Sequence, residues 1–174
     1  MSTTDSMPAP MSGTQASLYQ QLRGHLATLK LTDAAEHLPS VLAQAEAEQW
    51  SMTATLEHLL AREVEATEAR KLAGRLRFAS LPTPATLADF DYDAAPGIER
   101  KLIDELATCR YLESATNVLL IGPPGVGKTH LAVGLARTAA EAGYRTYFTT
   151  AADLAARCHR AAIEGRWSTT MRFF

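Results

Sequence analysis

The stretch Gly122-Pro123-Pro124-Gly125-Val126-Gly127-Lys128-Thr129 stands between an apolar run, Asn117-Val118-Leu119-Leu120-Ile121, and a helical pattern. It satisfies G-x-x-x-x-G-K-[ST], the phosphate-binding loop, in the strand, loop and helix order that its mechanism requires. Glycines let the backbone fold into a nest whose N–H groups point inward, and the following helix adds its unpaired N-terminal donors and the positive end of its dipole. Gly125 and Gly127 are expected in conformations that side-chain-bearing residues avoid, Lys128 is expected to reach the β- and γ-phosphates, and the Thr129 hydroxyl to ligate Mg²⁺. The ligand class is therefore a nucleoside triphosphate.

Working downstream, residues 129–142 place Leu131, Val133, Leu135 and Ala139 on a helix ended by Gly143. Arg145-Thr146-Tyr147-Phe148-Thr149 has the β-branched and aromatic content of a second strand. Residues 152–163 then read as a further helix through Leu154, Ala155, Cys158 and Ala162, with Asp153 as its expected N-cap and Gly165 as its breaker.

Upstream, residues 1–16 hold Ser, Thr, Pro and Gly without periodic apolar positions and are expected to form a disordered tail. Leu18, Leu22, Leu26 and Leu29 predict a first helix, and Ala34, Ala35, Leu38, Val41, Leu42 and Ala45 a second, interrupted near Pro39. A third, longer helix starts from Ser51 as N-cap and carries Leu56, Leu59, Leu60, Val64, Leu72 and Leu76 until Leu81-Pro82-Thr83-Pro84 forces the chain out. This gives a small all-α module over 17–80, a linker over 81–97, and a nucleotide domain over 98–174 whose first helix runs through Ile98, Leu102, Leu106 and Tyr111.

Composition narrows the class without naming a partner. The chain has 174 residues, 47% hydrophobic and 21% charged, which is ordinary soluble material. A formal net charge of -2 gives no whole-chain sign of nucleic-acid affinity. Cys109 and Cys158 lie far apart without metal-ligand spacing and read as free thiols. No apolar run approaches the roughly 20 residues that span a bilayer, and the N-terminus has neither a basic nor an apolar leader region, so no membrane association and a cytoplasmic location are expected.

The loop in the form Gly122 to Thr129 followed by His130-Leu131-Ala132, together with Thr149-Thr150-Ala151-Ala152-Asp153-Leu154, resembles the ATP-binding helpers of IS21-type transposons. These are the IstB-like proteins, relatives of the helicase loader DnaC and the replication initiator DnaA. Leu38-Pro39, Arg77, Leu81-Pro82, Leu87-Ala88-Asp89-Phe90-Asp91 and Pro96-Gly97-Ile98 resemble the family's N-terminal module and linker. The resemblance implies an α/β P-loop NTPase of the AAA+ type with a parallel-sheet core, preceded by the all-α module. It implies ATP and Mg²⁺ as ligands, held by residues 122–130, with the His130 backbone N–H directed at the α-phosphate. It also implies DNA and a transposase as partners, and homo-oligomers in full-length relatives.

The chain stops at Phe174, about 45 residues after Thr129, and no strand ending in Asp-Glu follows the loop. The resemblance places the Walker B acidic pair, the sensor residues and the arginine finger further along, so a truncated ATPase core with weak or absent hydrolysis is expected. Phe173 and Phe174 are large aromatics that would ordinarily continue into a core.

Other features have competing readings. Arg70, Lys71, Arg75 and Arg77 could contact DNA phosphates, or form a solvated helix face diluted by Glu63, Glu65 and Glu68. Arg157, Arg160 and Arg166 make a second basic group in a region where similar initiators place DNA-facing elements. Phe90 and Tyr92 either anchor the linker or pack beside the adenine. His25, His37, His58 and His159 have no shared metal-ligand spacing. A replicative helicase loader and a non-enzymatic nucleotide- or DNA-binding remnant are the alternatives to the transposition helper. A small-molecule kinase would need an Arg-bearing lid that the sequence does not show.

Overall fold

Helices are the regular structure among the residues that the computed structural model describes, 13–174. The tail expected over 1–16 lies mostly outside the described residues, and residues 13–16 open helix α1 (Gly13–Thr28). The chain divides into two compact units, the first reaching Lys71 and the second starting at Leu72. No helix among the described residues is long and apolar enough to cross a membrane.

The first unit holds α1, α2 (Thr32–Ala47) and most of α3 (Met52–Ala79). Leu26, Ala34, Leu38, Val41 and Leu59 form its core, with Tyr19, Leu31, Ala35 and Trp50 packed around them. Leu26 is the buried member of the leucine stripe read for α1, while Leu18, Leu22 and Leu29 are exposed. A helix that packs on one neighbour needs only a narrow stripe. Helix α2 runs through Pro39, where an interruption was expected. Pro39 is exposed and its cost of about 3 kcal/mol in a helix interior is offset by burying Leu38 and Val41, each worth about 1.5–3 kcal/mol.

The N-terminus of α2 lacks a side-chain cap of its own, because its N-cap residue is Leu31. Glu63, on α3 and only 5% exposed, supplies the missing acceptor: the Ala34 N–H donates to its Oε2 at 3.0 Å. Arg70 donates to the other Glu63 oxygen at 2.8 Å and also pairs with Asp33. The Ala34 N–H, and then Arg70, hold the Glu63 carboxyl below the usual glutamate range despite its burial. Helix α3 begins as read, with the Ala54 N–H donating to Ser51 Oγ at 3.1 Å. Leu59 is buried and Leu72 and Leu76 are half-buried, but Leu56, Leu60 and Val64 face outward.

The second unit carries α4 (Arg100–Ala107), α5 (Arg110–Glu113), α6 (Lys128–Glu141), α7 (Ala151–Ile163) and α8 (Trp167–Met171). Leu131, Val133, Leu135 and Ala139 of α6 are buried as their spacing predicts, and Gly143 ends the helix at φ +100°. Phe90, Ile103 and Leu131 form a core cluster that Leu87, Tyr92, Ala95, Ile98, Leu106 and Leu120 surround. The helix expected from Ile98 to Tyr111 is two, broken where Cys109 turns left-handed at φ +62°. Its buried residue is Ile103, while Leu102 is exposed. Burial pushes the Cys109 thiol pKa up, and Cys109 and Cys158 are free.

No strand forms among the described residues, so the parallel sheet expected from 117–121 and 145–149 is not seen. Leu119 and Ile121 are 80% and 90% exposed while Val118 and Leu120 are half-buried, which keeps the two-residue alternation of a strand. A strand exists through its ladder with a neighbour, and neither segment has one. The Phe148 N–H donates instead to the Ala79 carbonyl at 2.8 Å. Helix α7 is capped by Thr150 rather than by Asp153: the Asp153 N–H donates to Thr150 Oγ1 at 3.1 Å, and that hydroxyl donates back to Asp153 Oδ2 at 2.6 Å. Ala161 is its buried residue; Leu154, Ala155 and Ala162 are exposed. Phe173 and Phe174 close against Tyr147, and Phe173 also meets Phe78, so the terminal aromatics find a cluster of their own.

Because the Glu63 pKa is lowered by folding, its contribution is present above the ordinary glutamate value of about 4.3 and is lost as pH falls through the folded value. Thermal melts followed by circular dichroism should therefore show an acid-side loss of stability that is smaller in Glu63→Gln. Leu38→Ala should cost about 2–5 kcal/mol at neutral pH, measured by urea unfolding.

Candidate nucleotide site

Gly125 and Gly127 both sit at φ +84°, in the left-handed region that the loop chemistry calls for. Gly127 is the N-cap of α6, and the Leu131 N–H donates to its carbonyl at 3.0 Å. That bond begins the helical ladder, so the N–H groups of the preceding turn are left for a ligand. Gly125, Gly127, Lys128, Thr129 and His130 line a cavity of about 270 Å³ at this helix end. Gly122, Pro123 and Pro124 are exposed at the loop's entry, and Val126 is half-buried, so these expected residues shape the loop without lining the cavity.

Lys128 Nζ donates to the Pro123 carbonyl, which folds the ammonium back over its own loop. A phosphate oxygen carries a negative charge that the Pro123 carbonyl lacks, so an incoming phosphate can displace it. A cradle of backbone donors at a helix N-terminus, a Lys held across it and a Thr hydroxyl at its rim form a donor set that fits a triphosphate with Mg²⁺.

The His130 imidazole is a packing group, as its neighbours show. Its Nε2 lies 2.8 Å from the Thr86 carbonyl, which assigns the ring proton to Nε2. The Phe90 ring meets the His130 ring edge-on at 5.4 Å and the Tyr92 ring at 4.9 Å. Phe90 is buried, and a Cβ placed on Gly127 would lie 2.5 Å from its Cε2. Tyr92 lies under the Arg100 guanidinium at 5.4 Å. The linker aromatics thus anchor the linker on the loop. This attachment was not legible in the motif, which specifies backbone donors and says nothing of what the His130 ring touches.

The two basic groups differ. Arg70 is paired with Asp33 and Glu63, Lys71 with Glu68, and Arg75 donates to the Ala140 carbonyl at 2.7 Å. Arg70 and Lys71 fall in the first unit and Arg75 and Arg77 in the second. Arg157, Arg160 and Arg166 line a single cavity of about 330 Å³ with Phe173 and Phe174. Arg157 also stacks on Tyr147 at 5.2 Å, and Arg166 pairs with Glu164.

The signature of the family described as IstB-like ATP binding protein matches residues 24–173, loop, linker and helical module together. The chain belongs to this family. The IstB-like chain is 39% identical over 141 residues to an insertion sequence IS21 protein of Pseudomonas aeruginosa that is named for ATP binding, covering 81% of the chain and 53% of that relative. It is 35% identical over 146 residues to the corresponding IS5376 protein of Geobacillus stearothermophilus, covering 84% and 58%. With the IS232 protein of Bacillus thuringiensis subsp. berliner, the figures are 32% over 156 residues, 90% and 62%. The IstB-like chain thus spans little more than half the length of these relatives.

Gly127→Ala combines backbone strain with a collision against Phe90, and isothermal titration of inorganic tripolyphosphate should show at least about a tenfold loss of affinity.

Proposed function

We propose that this IstB-like chain binds ATP with Mg²⁺ through residues 122–130 and acts as a DNA-binding transposition helper that directs a transposase to its target. The observation that carries the nucleotide reading is the pairing of left-handed Gly125 and Gly127 with a cavity at the N-terminus of α6. Backbone N–H groups of Gly125 to His130 would hold the phosphates, Lys128 would leave Pro123 for the β- and γ-phosphates, and Thr129 would ligate Mg²⁺. The metal, when bound, offsets the charge of the phosphate oxygens. An α/β core built on 117–121 and 145–149 is part of this reading, supported by the strand-like alternation of exposure at 118–121.

Hydrolysis by these residues alone is expected to be weak. Phosphoryl transfer to water needs a group that positions the nucleophile. After the loop the carboxylates are Glu141, Asp153 and Glu164. Asp153 is committed to the Thr150 cap, Glu164 to Arg166, and Glu141 lies at the far end of α6 from Thr129. DNA contact is assigned to Arg157, Arg160 and Arg166, which share a cavity, in preference to the α3 group, in which Arg70 is held by two carboxylates.

Lys128→Ala should abolish MgATP binding measured by calorimetry, and unchanged binding would sink the site assignment. Thr129→Ala should retain tripolyphosphate binding while losing its enhancement by Mg²⁺. Replacing Arg157, Arg160 and Arg166 by Gln should flatten the dependence of DNA affinity on log salt by about 0.9 for each phosphate left without its cation. An unaltered slope would move the DNA interface elsewhere.

A further inference from the structure

We infer that His130, Gly134 and Arg137 form a docking strip on α6 for the linker, and that the docked linker holds the phosphate loop in its binding conformation through Phe90. This rests on reading residues 122–130 as the nucleotide site. Residues four and seven positions beyond His130 return to the same face of a helix, so the three make one stripe along α6.

Each member grips successive linker backbone. Arg137 Nε donates to the Ala85 carbonyl at 3.3 Å, and His130 Nε2 to the Thr86 carbonyl at 2.8 Å. Between them Gly134 leaves a notch for Leu87: a Cβ there would lie 2.6 Å from Leu87 Cδ2 and 3.0 Å from its backbone nitrogen. The next contact is Phe90, whose ring occupies the space a Gly127 side chain would need. Linker and loop are therefore held at three points along α6 and meet again at the residue whose φ of +84° shapes the nest.

A loop with two left-handed glycines has many alternative conformations, and each one removed by a contact outside the ligand lowers the ordering cost of binding. His130 and Arg137 thus act as positioning residues through Phe90. Coupling of this kind is reciprocal: if the docked linker favours the nest, phosphate in the nest must favour the docked linker.

The test is calorimetry of inorganic tripolyphosphate and MgATP on the full chain, with circular dichroism of every variant. His130→Ala should weaken both ligands about tenfold, and Phe90→Ala similarly. Combining them should weaken binding no further than the worse single change, because both act through one contact. His130→Gln, which restores an N–H donor near Thr86, should recover most of the loss. Arg137→Ala removes a linker contact nearly two turns from the loop, so a fall in tripolyphosphate affinity there supports the strip even where His130→Ala loses helix. Hydrogen exchange at residues 87–90 should slow on adding tripolyphosphate to the wild type. Fully additive penalties, no rescue by Gln, or unchanged affinity in Arg137→Ala would each overturn the strip. Wild type that binds neither ligand, or a Lys128→Ala chain that binds both, overturns instead the nucleotide reading beneath it.

Discussion

At Gly127 the chain must turn left-handed to enter α6 while the Phe90 ring lies against its α-carbon. Any side chain there would face both a strained backbone and an occupied space, so a single hydrogen at this position makes loop, helix and linker compatible. The consequences spread outward from that point. The left-handed turn opens α6 beside the cavity, the helix supplies its dipole there, and the ring on the other side meets His130, which bonds to Thr86. The Phe90, Ile103 and Leu131 cluster then carries the same packing into α4.

The helical unit is organised by a different interaction, a buried carboxylate. Helix α2 opens on Leu31, which has no side-chain oxygen, and Glu63 serves as its acceptor from another helix. A buried charge costs several kcal/mol unless it is paired and hydrogen-bonded, and Ala34 N–H and Arg70 meet that requirement. The same network fixes which face of α3 turns inward: Leu59 and Glu63, one helical turn apart, are buried, and Leu56, Leu60 and Val64 are left outside. Arg70 is thereby tied to Asp33 and Glu63.

The arginines of α7 belong to an aromatic setting. Tyr147, Phe173 and Phe174 meet edge to face, Phe78 packs tilted against Tyr147 and Phe173, and Arg145 stacks on Phe78 at 4.0 Å. Stacked guanidiniums keep their charge and several donors, so cation–π contact and phosphate contact are compatible uses of the same side chain. Arg157, stacked on Tyr147 and Phe173, is the member of the downstream basic group to which this applies.

The sequence by itself determined the left-handed glycines, the buried stripe of α6, the Ser51 cap and the helices among the described residues up to Ser80. Each depends on contacts within a few residues, where spacing and side-chain type suffice. It misjudged Pro39, Asp153, Leu102 and the outer leucines of α3, because a periodic pattern gives the candidates for a buried face and only a partner selects among them. The apolar runs at 117–121 and 145–149 showed the same limit, since strand propensity does not supply the neighbour that a ladder needs. Tertiary structure alone decided that His130 holds the linker, that Glu63 caps α2 and that the α7 arginines share a cavity with the terminal aromatics. Those contacts join residues tens of positions apart or chosen by packing geometry, and no local spacing rule encodes them.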